Sequence, residues 1–177
     1  MALREILTYP DPELRKQAEP VTVFDDALCK LVADMAETMA NAPGVGLAAT
    51  QIGVHLQVVV IDITPKDRAN KLIVLINPAI TAFEGEEVEE EGCLSVIELC
   101  ANVKRWRKVW VRAQDLDGKK LEFEAEELFA RVIQHEFDHL QGKLFLDRIS
   151  PLKRALYKKK LRKILQEKQD KIEEAQQ

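Results

Sequence analysis

The sequence has no long hydrophobic run and few cysteines, and each of these absences excludes a class of protein. None of its apolar segments approaches the roughly 20 residues that a membrane-spanning helix needs. Its first residues also lack the apolar stretch of a signal peptide. We therefore expect a cytoplasmic protein without a membrane-bound segment. The three cysteines are an odd number, which argues against a disulfide partner for each and favours free thiols or a metal ligand.

Internal repeats and low-complexity linkers are also missing, which favours a single ordinary domain. The composition, with 46% apolar and 32% charged residues, is that of a globular chain. The charge is unevenly distributed: residues 153–168 carry eight Lys or Arg and one acid, whereas residues 1–152 have a net charge of −9. An acidic body does not indicate a general nucleic-acid binder, but the basic segment could contact an anionic surface.

The spacing of apolar residues predicts helices at both ends of the chain. Apolar side chains three to four residues apart predict a helix from Asp25 to near Pro43 and another over residues 125–141. Cys29 lies in the first of these helices and is expected in the core. Ser150 and Pro151 are typical of a helix N-cap and first turn. We expect the apolar stripe of this final amphipathic helix to dock on the body; it comprises Leu152, Leu156, Leu161, Ile164 and Leu165.

The middle of the chain is rich in β-branched residues and predicts strands. The runs lie over residues 58–63, 72–76, 79–83 and 103–113. The second run is expected to end at Asn77-Pro78, and Asp117-Gly118 is typical of a hairpin turn. The glutamate run over residues 84–91 is expected to be a solvated loop, with Glu91 as a possible exception. The order of elements indicates an α+β fold, with antiparallel strands packed around a central helix.

The segment His135-Glu136-Phe137-Asp138-His139 carries the strongest chemical signal. Two histidines four residues apart lie on one face of a helix, about 5–6 Å from each other, and can share a divalent metal ion. Glu136 lies beside them, where its carboxylate could take a proton from metal-bound water. A chance pairing on a solvated face is disfavoured, because the helix is amphipathic and the chain has only three histidines.

A catalytic metal site needs a third protein ligand, and the spacing alone does not identify it. An extended metalloprotease motif would place a third histidine at position 145, which is Phe145. The remaining histidine, His55, is more readily explained as an ordinary surface residue. A cysteine thiolate could complete the set. Position alone does not favour Cys93, in a short segment between strands, over Cys29 or Cys100.

The segment Gly44-Val45-Gly46-Leu47-Ala48-Ala49-Thr50-Gln51 is small and apolar. It lacks the lysine of a phosphate-binding loop. It could form a tight packed turn, or a backbone edge on which an extended ligand lies, with Gln51 as a hydrogen-bond donor.

Three segments together resemble the motifs of the peptide deformylase family. They are residues 44–51, the segment Glu91-Gly92-Cys93-Leu94-Ser95 and the segment Gln134–Leu140, and every fixed position of the family pattern is filled. The resemblance spans roughly residues 3–165. The short loops and helical C-terminus are similar to the branch typical of Gram-negative bacteria and organelles.

This resemblance implies both a reaction and a metal site. Cys93, His135 and His139 are implied as the ligands of one divalent ion, Fe²⁺ in the cell, with Zn²⁺, Ni²⁺ or Co²⁺ as alternatives. The implied reaction removes the formyl group from the N-terminal formyl-methionine of new polypeptides and releases formate. Metal-bound hydroxide would be the nucleophile and Glu136 the general acid and base. The side chain of Gln51 and the backbone N–H of Leu94 would donate to the oxyanion.

The resemblance also implies how the substrate binds. Val45, Leu94 and Val132 are the expected wall of a methionine pocket, and the substrate backbone is expected to pair with the segment containing Gly46. Two departures bear on the rest of the peptide: Val96-Ile97 replaces a segment that often contains proline, and Cys100 stands where some members have a substrate-binding arginine.

The expected organisation is a catalytic domain over residues 1–150 with a helix over residues 151–177 attached to it. Some family members dock on the ribosome through this helix, so the ribosome is a second expected partner. Two other functions remain open: a metalloendoprotease, and a metal-dependent binding module without enzymatic activity.

Overall fold

A computed structural model of the protein describes residues 2–64 and 71–175. The helices and strands, in chain order, are α1 (Asp26–Ala40), β1 (Gly46–Ala48), β2 (Val58–Ile61), β3 (Ile73–Cys93), β4 (Val96–Gln114), β5 (Lys120–Glu126), α2 (Glu127–Leu140) and α3 (Pro151–Ala175). Short 3₁₀ turns lie at Pro12–Arg15, Ala49–Ile52 and Phe145–Arg148.

The five strands form one sheet in which each strand pairs antiparallel with the next, in the order β1-β2-β3-β4-β5. Val59 and Ile61 of β2 are buried with residues of α2, whereas Val58 and Val60 are buried with residues of α1. Successive side chains of a strand point to opposite faces. The sheet is therefore covered by α2 on one face and by α1 on the other. The predicted α+β fold with antiparallel strands is confirmed.

The starts of α1 and α3 and the turn between β4 and β5 lie where local sequence signals predict them. The Asp25 side chain accepts a hydrogen bond from the backbone N–H of Leu28, 3.0 Å away, at the start of α1. The Ser150 hydroxyl accepts one from the N–H of Lys153, 3.3 Å away, at the start of α3. Gly118, in the predicted hairpin turn between β4 and β5, has a φ of 77°, which glycine adopts without steric cost.

β3 is longer than the sequence predicts. The expected break at Asn77-Pro78 is absent, and one strand of 21 residues runs through it. The register shifts between Ile76 and Ala79, and this irregularity accommodates a proline that has no N–H to donate. The Asn77 side chain also bonds to the backbone of Val21, which fixes the chain at its left-handed φ of 51°.

The glutamate run over residues 84–91 belongs to β3, so the predicted loop is wrong, although most of the run is exposed as predicted and Glu91, the expected exception, is buried. Basic residues of β4 lie opposite it and offset the repulsion between neighbouring carboxylates. Glu86 lies 2.9 Å from the ammonium group of Lys104, and Glu91 lies 2.8 Å from Nε of Arg105. β4 correspondingly begins at Val96, earlier than predicted.

α3 contacts the body through only part of the predicted apolar stripe. Leu152 and Leu156, of the expected apolar stripe, are 70% and 60% exposed. The buried residues of α3 are Tyr157 and Leu161, which lie one turn apart and pack in a cluster that includes Phe145. Leu161 belongs to the predicted stripe, and Ile164 of that stripe is half-buried, whereas Tyr157 lies outside it and completes the buried face.

Cys29 is exposed rather than part of the core, because the buried face of α1 is formed by positions 28, 31, 32 and 35. Cys93 and Cys100 are also free thiols. None of the helices in the described ranges is both long and apolar enough to cross a membrane. Of the expected C-terminal unit over residues 151–177, residues 176 and 177 lie outside the described part.

Candidate metal centre

Two histidines of α2 meet a cysteine from the end of β3. Sγ of Cys93 lies 3.2 Å from Nε2 of His139, which in turn lies 3.3 Å from Nε2 of His135. The three potential ligand atoms lie within 4.8 Å of one another. The structure therefore brings together the three residues that the family resemblance implied as ligands.

The surroundings of these atoms fit a cation. A thiolate with two imidazoles suits borderline ions such as Fe²⁺ and Zn²⁺. Burial lowers the pKa of His139 well below its usual value, which favours the neutral, metal-binding form of the ring. Burial also opposes a charge on His135, but the interactions with Cys93 and Glu91 outweigh burial and raise the pKa of that ring well above its usual value. Positive charge is thus stabilised at this point of the structure.

A buried carboxylate orients one of the histidines. Oε2 of Glu91 lies 3.0 Å from Nδ1 of His135, which leaves Nε2 of that ring facing Cys93 and His139. Arg105 donates from Nε and Nη2 to the same carboxylate, and Arg131 donates to it from Nη1. Burial alone would raise the pKa of Glu91, but the hydrogen bonds from His135 and Arg105 hold it far below its usual range. Glu91 therefore remains ionised behind His135.

The ion pairs continue behind α2 to the protein surface. Arg105 also donates to Asp138, over 2.6 Å, and Asp138 receives two further hydrogen bonds from Arg148. Burial opposes the ionised form of Asp138, but the two arginines outweigh it and lower its pKa. Partner charges of this kind are needed because a buried ion left unpaired is strongly destabilising. The network connects β3, β4 and α2.

Glu136 occupies a buried position facing β1. It is 4% exposed, and its Oε2 atom has no hydrogen-bond partner among the described residues. Burial raises the pKa of Glu136 to about 7. A Cβ atom at position 46 would lie 2.5 Å from Oε1 of Glu136, so Gly46 permits the close approach of β1 to this carboxylate. An orphaned carboxylate oxygen with a pKa near neutrality is suited to taking and returning a proton.

Gln51 lies beside the thiol in a fixed orientation. Its Oε1 accepts a hydrogen bond from the N–H of Ala48, over 2.8 Å, so its Nε2 is the end that faces the centre. Nε2 donates to the hydroxyl of Ser95, over 3.1 Å, and lies 3.8 Å from Sγ of Cys93. A buried amide N–H is thus held near the candidate ligands.

A cavity of about 750 Å³ opens onto this centre. Its wall contains Cys93, His135, Glu136 and Gln51. All four predicted substrate-binding residues also line it, namely Val45, Gly46, Leu94 and Val132. His139 is 1% exposed and lies behind the wall. The residues predicted from the motifs are therefore assembled around one space.

Sequence reasoning missed the arginines that surround Glu91. Arg131 lies one turn before His135 on α2, and a charged residue among the buried positions of a helix indicates an internal ion pair. Arg105 is two residues from Val103, and both face inward because strand positions alternate. These two signals were available in the sequence, but they do not reveal which carboxylate the arginines bind.

A thiol and two imidazoles at one point, next to a buried glutamate with one orphaned oxygen in an open cavity, are the groups that a metal-dependent hydrolase needs. Comparisons with known proteins identify the family of hydrolase. Residues 3–155 match the family model of polypeptide deformylase. The chain belongs to this family, whose members use one divalent metal ion to remove the N-terminal formyl group from nascent peptides.

Individual relatives agree with this assignment. A peptide deformylase of Desulfotalea psychrophila is 54% identical over 164 residues, which cover 92% of this chain and 97% of that protein. The crystal structure of a peptide deformylase from Legionella pneumophila has a TM-score of 0.87 at 48% identity and covers 94% of this chain and 98% of its own. A crystal structure of a class I type b peptide deformylase from Acinetobacter baumannii, with Met-Ala-Ser bound, has a TM-score of 0.78 at 31% identity. The match covers 84% of this chain and 99% of that chain. The predicted membership of the peptide deformylase family is confirmed.

Proposed function

We propose that Cys93, His135 and His139 hold the single divalent ion of this hydrolase. The observation that carries the proposal is the convergence of their three ligand atoms beside the orphaned carboxylate oxygen of Glu136. We propose Fe²⁺ as the ion in the cell, with Zn²⁺, Ni²⁺ or Co²⁺ able to replace it, because one thiolate and two imidazoles suit these ions better than Mg²⁺ or Ca²⁺. Such an ion lowers the pKa of a coordinated water and polarises a carbonyl oxygen.

Glu136 is the proposed general acid and base. Its Oε2 atom has no other partner among the described residues and can accept the proton of the attacking water. The same oxygen can then give that proton to the nitrogen of the departing methionine, which leaves as an amine only once it is protonated. The raised pKa of about 7 suits both steps near neutral pH.

Gln51 and Leu94 are the proposed donors to the oxyanion that forms at the formyl oxygen. Nε2 of Gln51 is held near Cys93 by the contact of its Oε1 atom with Ala48, so this donor needs no reorganisation during the reaction. Leu94 follows Cys93 in the turn between β3 and β4 and lines the cavity, so its backbone N–H is available at the same place. Removing one donor of this kind typically lowers turnover about 100- to 1,000-fold.

The proposed methionine pocket lies between β1 and α2. Val45, Leu94 and Val132 give it apolar walls, and Gly46 lies on the β1 edge, where the substrate backbone can pair as an added strand. The Met-Ala-Ser bound by the Acinetobacter relative supports a peptide with methionine at its first position as the ligand.

We further propose that residues 1–150 form the catalytic unit and that the segment over residues 151–177, which contains α3, adds a docking surface. The basic side chains of α3 are concentrated between residues 153 and 168, and all of them in this range except the half-buried Arg154 are exposed. They can contact the RNA phosphates of the ribosome, from which the formylated chain emerges. The cytoplasm, where such chains are made, is the proposed compartment.

The decisive experiment measures formate release from formyl-Met-Ala-Ser by protein loaded with Fe²⁺ or Ni²⁺. We expect turnover with the formyl peptide and none at the internal bonds of an acetylated peptide of the same sequence. Metal analysis should give one equivalent per chain. Cleavage of the internal bonds would instead indicate a metalloendoprotease, and a metal-loaded protein without any hydrolysis would contradict the proposed site.

A further inference from the structure

One wall of the cavity has an unusual backbone. Ile97, Glu98 and Leu99 line the cavity on the β4 side, beyond the turn that carries Cys93. Glu98 has a φ of 54°, in the left-handed region. This conformation is unfavourable for a residue with a Cβ atom, so other contacts must hold it in place.

α3 supplies two such contacts. The hydroxyl of Tyr157 donates to the carbonyl oxygen of Ile97, over 2.9 Å. The ammonium group of Lys160 donates to the carbonyl oxygen of Glu98, over 3.3 Å, and lies 3.6 Å from the Glu98 carboxylate. Tyr157 and Lys160 are three residues apart and therefore lie on the same side of the helix. α3 thus binds two successive carbonyl groups of the cavity wall.

The Tyr157 contact is anchored by packing. Tyr157 and Leu161 are each 3% exposed and belong to a cluster with Val96 and Phe145. Ile97 and Leu99 pack against the same cluster, as does Cys93. The helix and the wall therefore share one apolar core, which keeps the Tyr157 hydroxyl in position.

We propose that α3 braces the cavity wall, and that Tyr157 and Lys160 are positioning residues for the part of the substrate that follows methionine. The wall over residues 97–99 lines the same cavity as Val45 and Val132 of the proposed methionine pocket, and Cys100 beside it brings no charged group to a passing peptide. The shape of the wall, set from α3, then determines how well an extended chain fits. This inference rests on the proposed substrate position.

The test compares an extended substrate with a short one. Formyl-Met-Ala-Ser reaches beyond the methionine pocket, whereas formyl-methionine amide does not. In metal-loaded Tyr157→Phe, which loses only the hydroxyl, we expect the KM for the tripeptide to rise about three- to tenfold, the range that one neutral hydrogen bond accounts for. The kcat of this variant for the tripeptide, and its kcat and KM for formyl-methionine amide, should stay near the wild-type values. Lys160→Ala should show the same pattern without altering the core.

Two control variants separate positioning from general effects. Tyr9→Phe removes a hydroxyl from the neighbouring ring, whose centroid lies 6.5 Å from that of Tyr157. Lys158→Ala removes an exposed charge from the same helix. Both variants should have wild-type kcat and KM for the tripeptide and for formyl-methionine amide. Melting temperatures and metal content, measured for every variant, show whether each protein is folded and loaded under the assay conditions.

A rescue experiment tests the role of the backbone at Glu98. Asparagine tolerates the left-handed region better than glutamate, so Glu98→Asn should reduce the KM penalty of Tyr157→Phe. An unchanged tripeptide KM in both Tyr157→Phe and Lys160→Ala would overturn the brace, as would equal losses for the long and short substrates. An inactive wild-type enzyme would instead count against the proposed function, so the two failures are distinguishable.

Discussion

Cys93 is the proposed ligand that comes from the sheet, whereas the other two come from α2. Cys93→Ala removes the thiolate and leaves two imidazoles, which hold a divalent ion poorly. We expect metal content and formate release to fall together, and added Ni²⁺ to restore little of either. Metal analysis by mass spectrometry on the purified variant checks this. A full equivalent of metal in Cys93→Ala would show that Cys93 is not a required ligand.

Substitution of Glu136, unlike that of Cys93, should leave the metal bound. Glu136 lies between the two histidines in the sequence but not at the four-residue spacing at which they share an ion. Glu136→Ala is expected to keep its metal and to lose turnover by about 100- to 10,000-fold, the contribution usual for a positioned general acid and base. Parallel measurement of metal content and kcat distinguishes the two roles. A variant that is depleted of metal, or one with near-normal turnover, would contradict the role given to Glu136.

The residues of the centre differ in how far the sequence reveals them. The histidine pair follows from helical spacing alone, and so does the neighbouring glutamate. Cys93 could be separated from Cys29 and Cys100 only through the family motifs, since ligand choice depends on distances between remote segments. The inward positions of Arg105 and Arg131 follow from strand alternation and helix burial, but their shared partner Glu91 does not, because an ion pair between three elements is set by distances between remote segments.

At the scale of single elements, the short strand β1 depends on one glycine. Gly46→Ala would place a Cβ atom 2.5 Å from Oε1 of Glu136, closer than such atoms approach in proteins. Either β1 or the carboxylate must move, so we expect kcat to fall at least tenfold while metal content is retained. Gly85→Ala, at a turn-like position of β3 remote from the cavity, is the control for a glycine substitution elsewhere. Wild-type kcat in Gly46→Ala would show that β1 does not fix Glu136.

α1 holds the N-terminal segment through a buried carboxylate. Asp34 accepts hydrogen bonds from the N–H of Ala2, over 2.8 Å, and from Nε of Arg4, over 3.1 Å. The Ala2 contact is the main cause that lowers the pKa of Asp34 below 3.8. A carboxyl with a lowered folded pKa stabilises the fold above its unfolded pKa, and the effect is lost as pH falls through the folded value.

We therefore expect Asp34→Asn to melt at a lower temperature than wild type at pH 7. The difference should be constant down to about pH 5 and should shrink below about pH 4, where the carboxyl is protonated first in the unfolded chain and, at lower pH, in the folded protein. Thermal unfolding of both proteins across this pH range provides the measurement. A difference that persists undiminished at pH 3 would mean that the charge of Asp34 is not what stabilises the segment.

The sequence predicted elements best where the signal is local. The starts of α1 and α3 and the turn at Gly118 depend on side chains within three residues of the feature. The length of β3, in contrast, depends on remote residues, because its glutamates are held by basic residues of β4, which follows later in the chain. The docked face of α3 was predicted only in part: Leu161 of the stripe is buried, but Leu152 and Leu156 are exposed and Tyr157 joins the contact instead. A helix that is exposed over most of its surface does not show by its own pattern which of its residues the body covers.

For the whole molecule, the uneven charge makes a salt-dependent docking prediction. Replacing the exposed Lys159, Arg162 and Lys163 with glutamine should weaken cosedimentation with ribosomes and make it less sensitive to salt, because each lost phosphate contact lowers the slope of affinity against salt concentration. Formate release from formyl-Met-Ala-Ser should be unchanged. The matched control is the same number of substitutions on the body, at Lys71, Lys104 and Lys119. Equal binding by both variants and wild type would refute docking through α3.

The length of β3 has a consequence for how the protein behaves at high concentration. β2 pairs with β3 only over Ile73–Ile76, and beyond this stretch no other described strand lies on the outer edge of β3. A long open edge is a template on which another chain can add a strand and begin aggregation. Exposed Phe83 and Val88 would favour such an addition. The glutamates of the run over residues 84–91 oppose it, since an identical edge brought alongside would place like charges together. The same residues that obscured the strand in the sequence thus protect its edge from other copies of the chain.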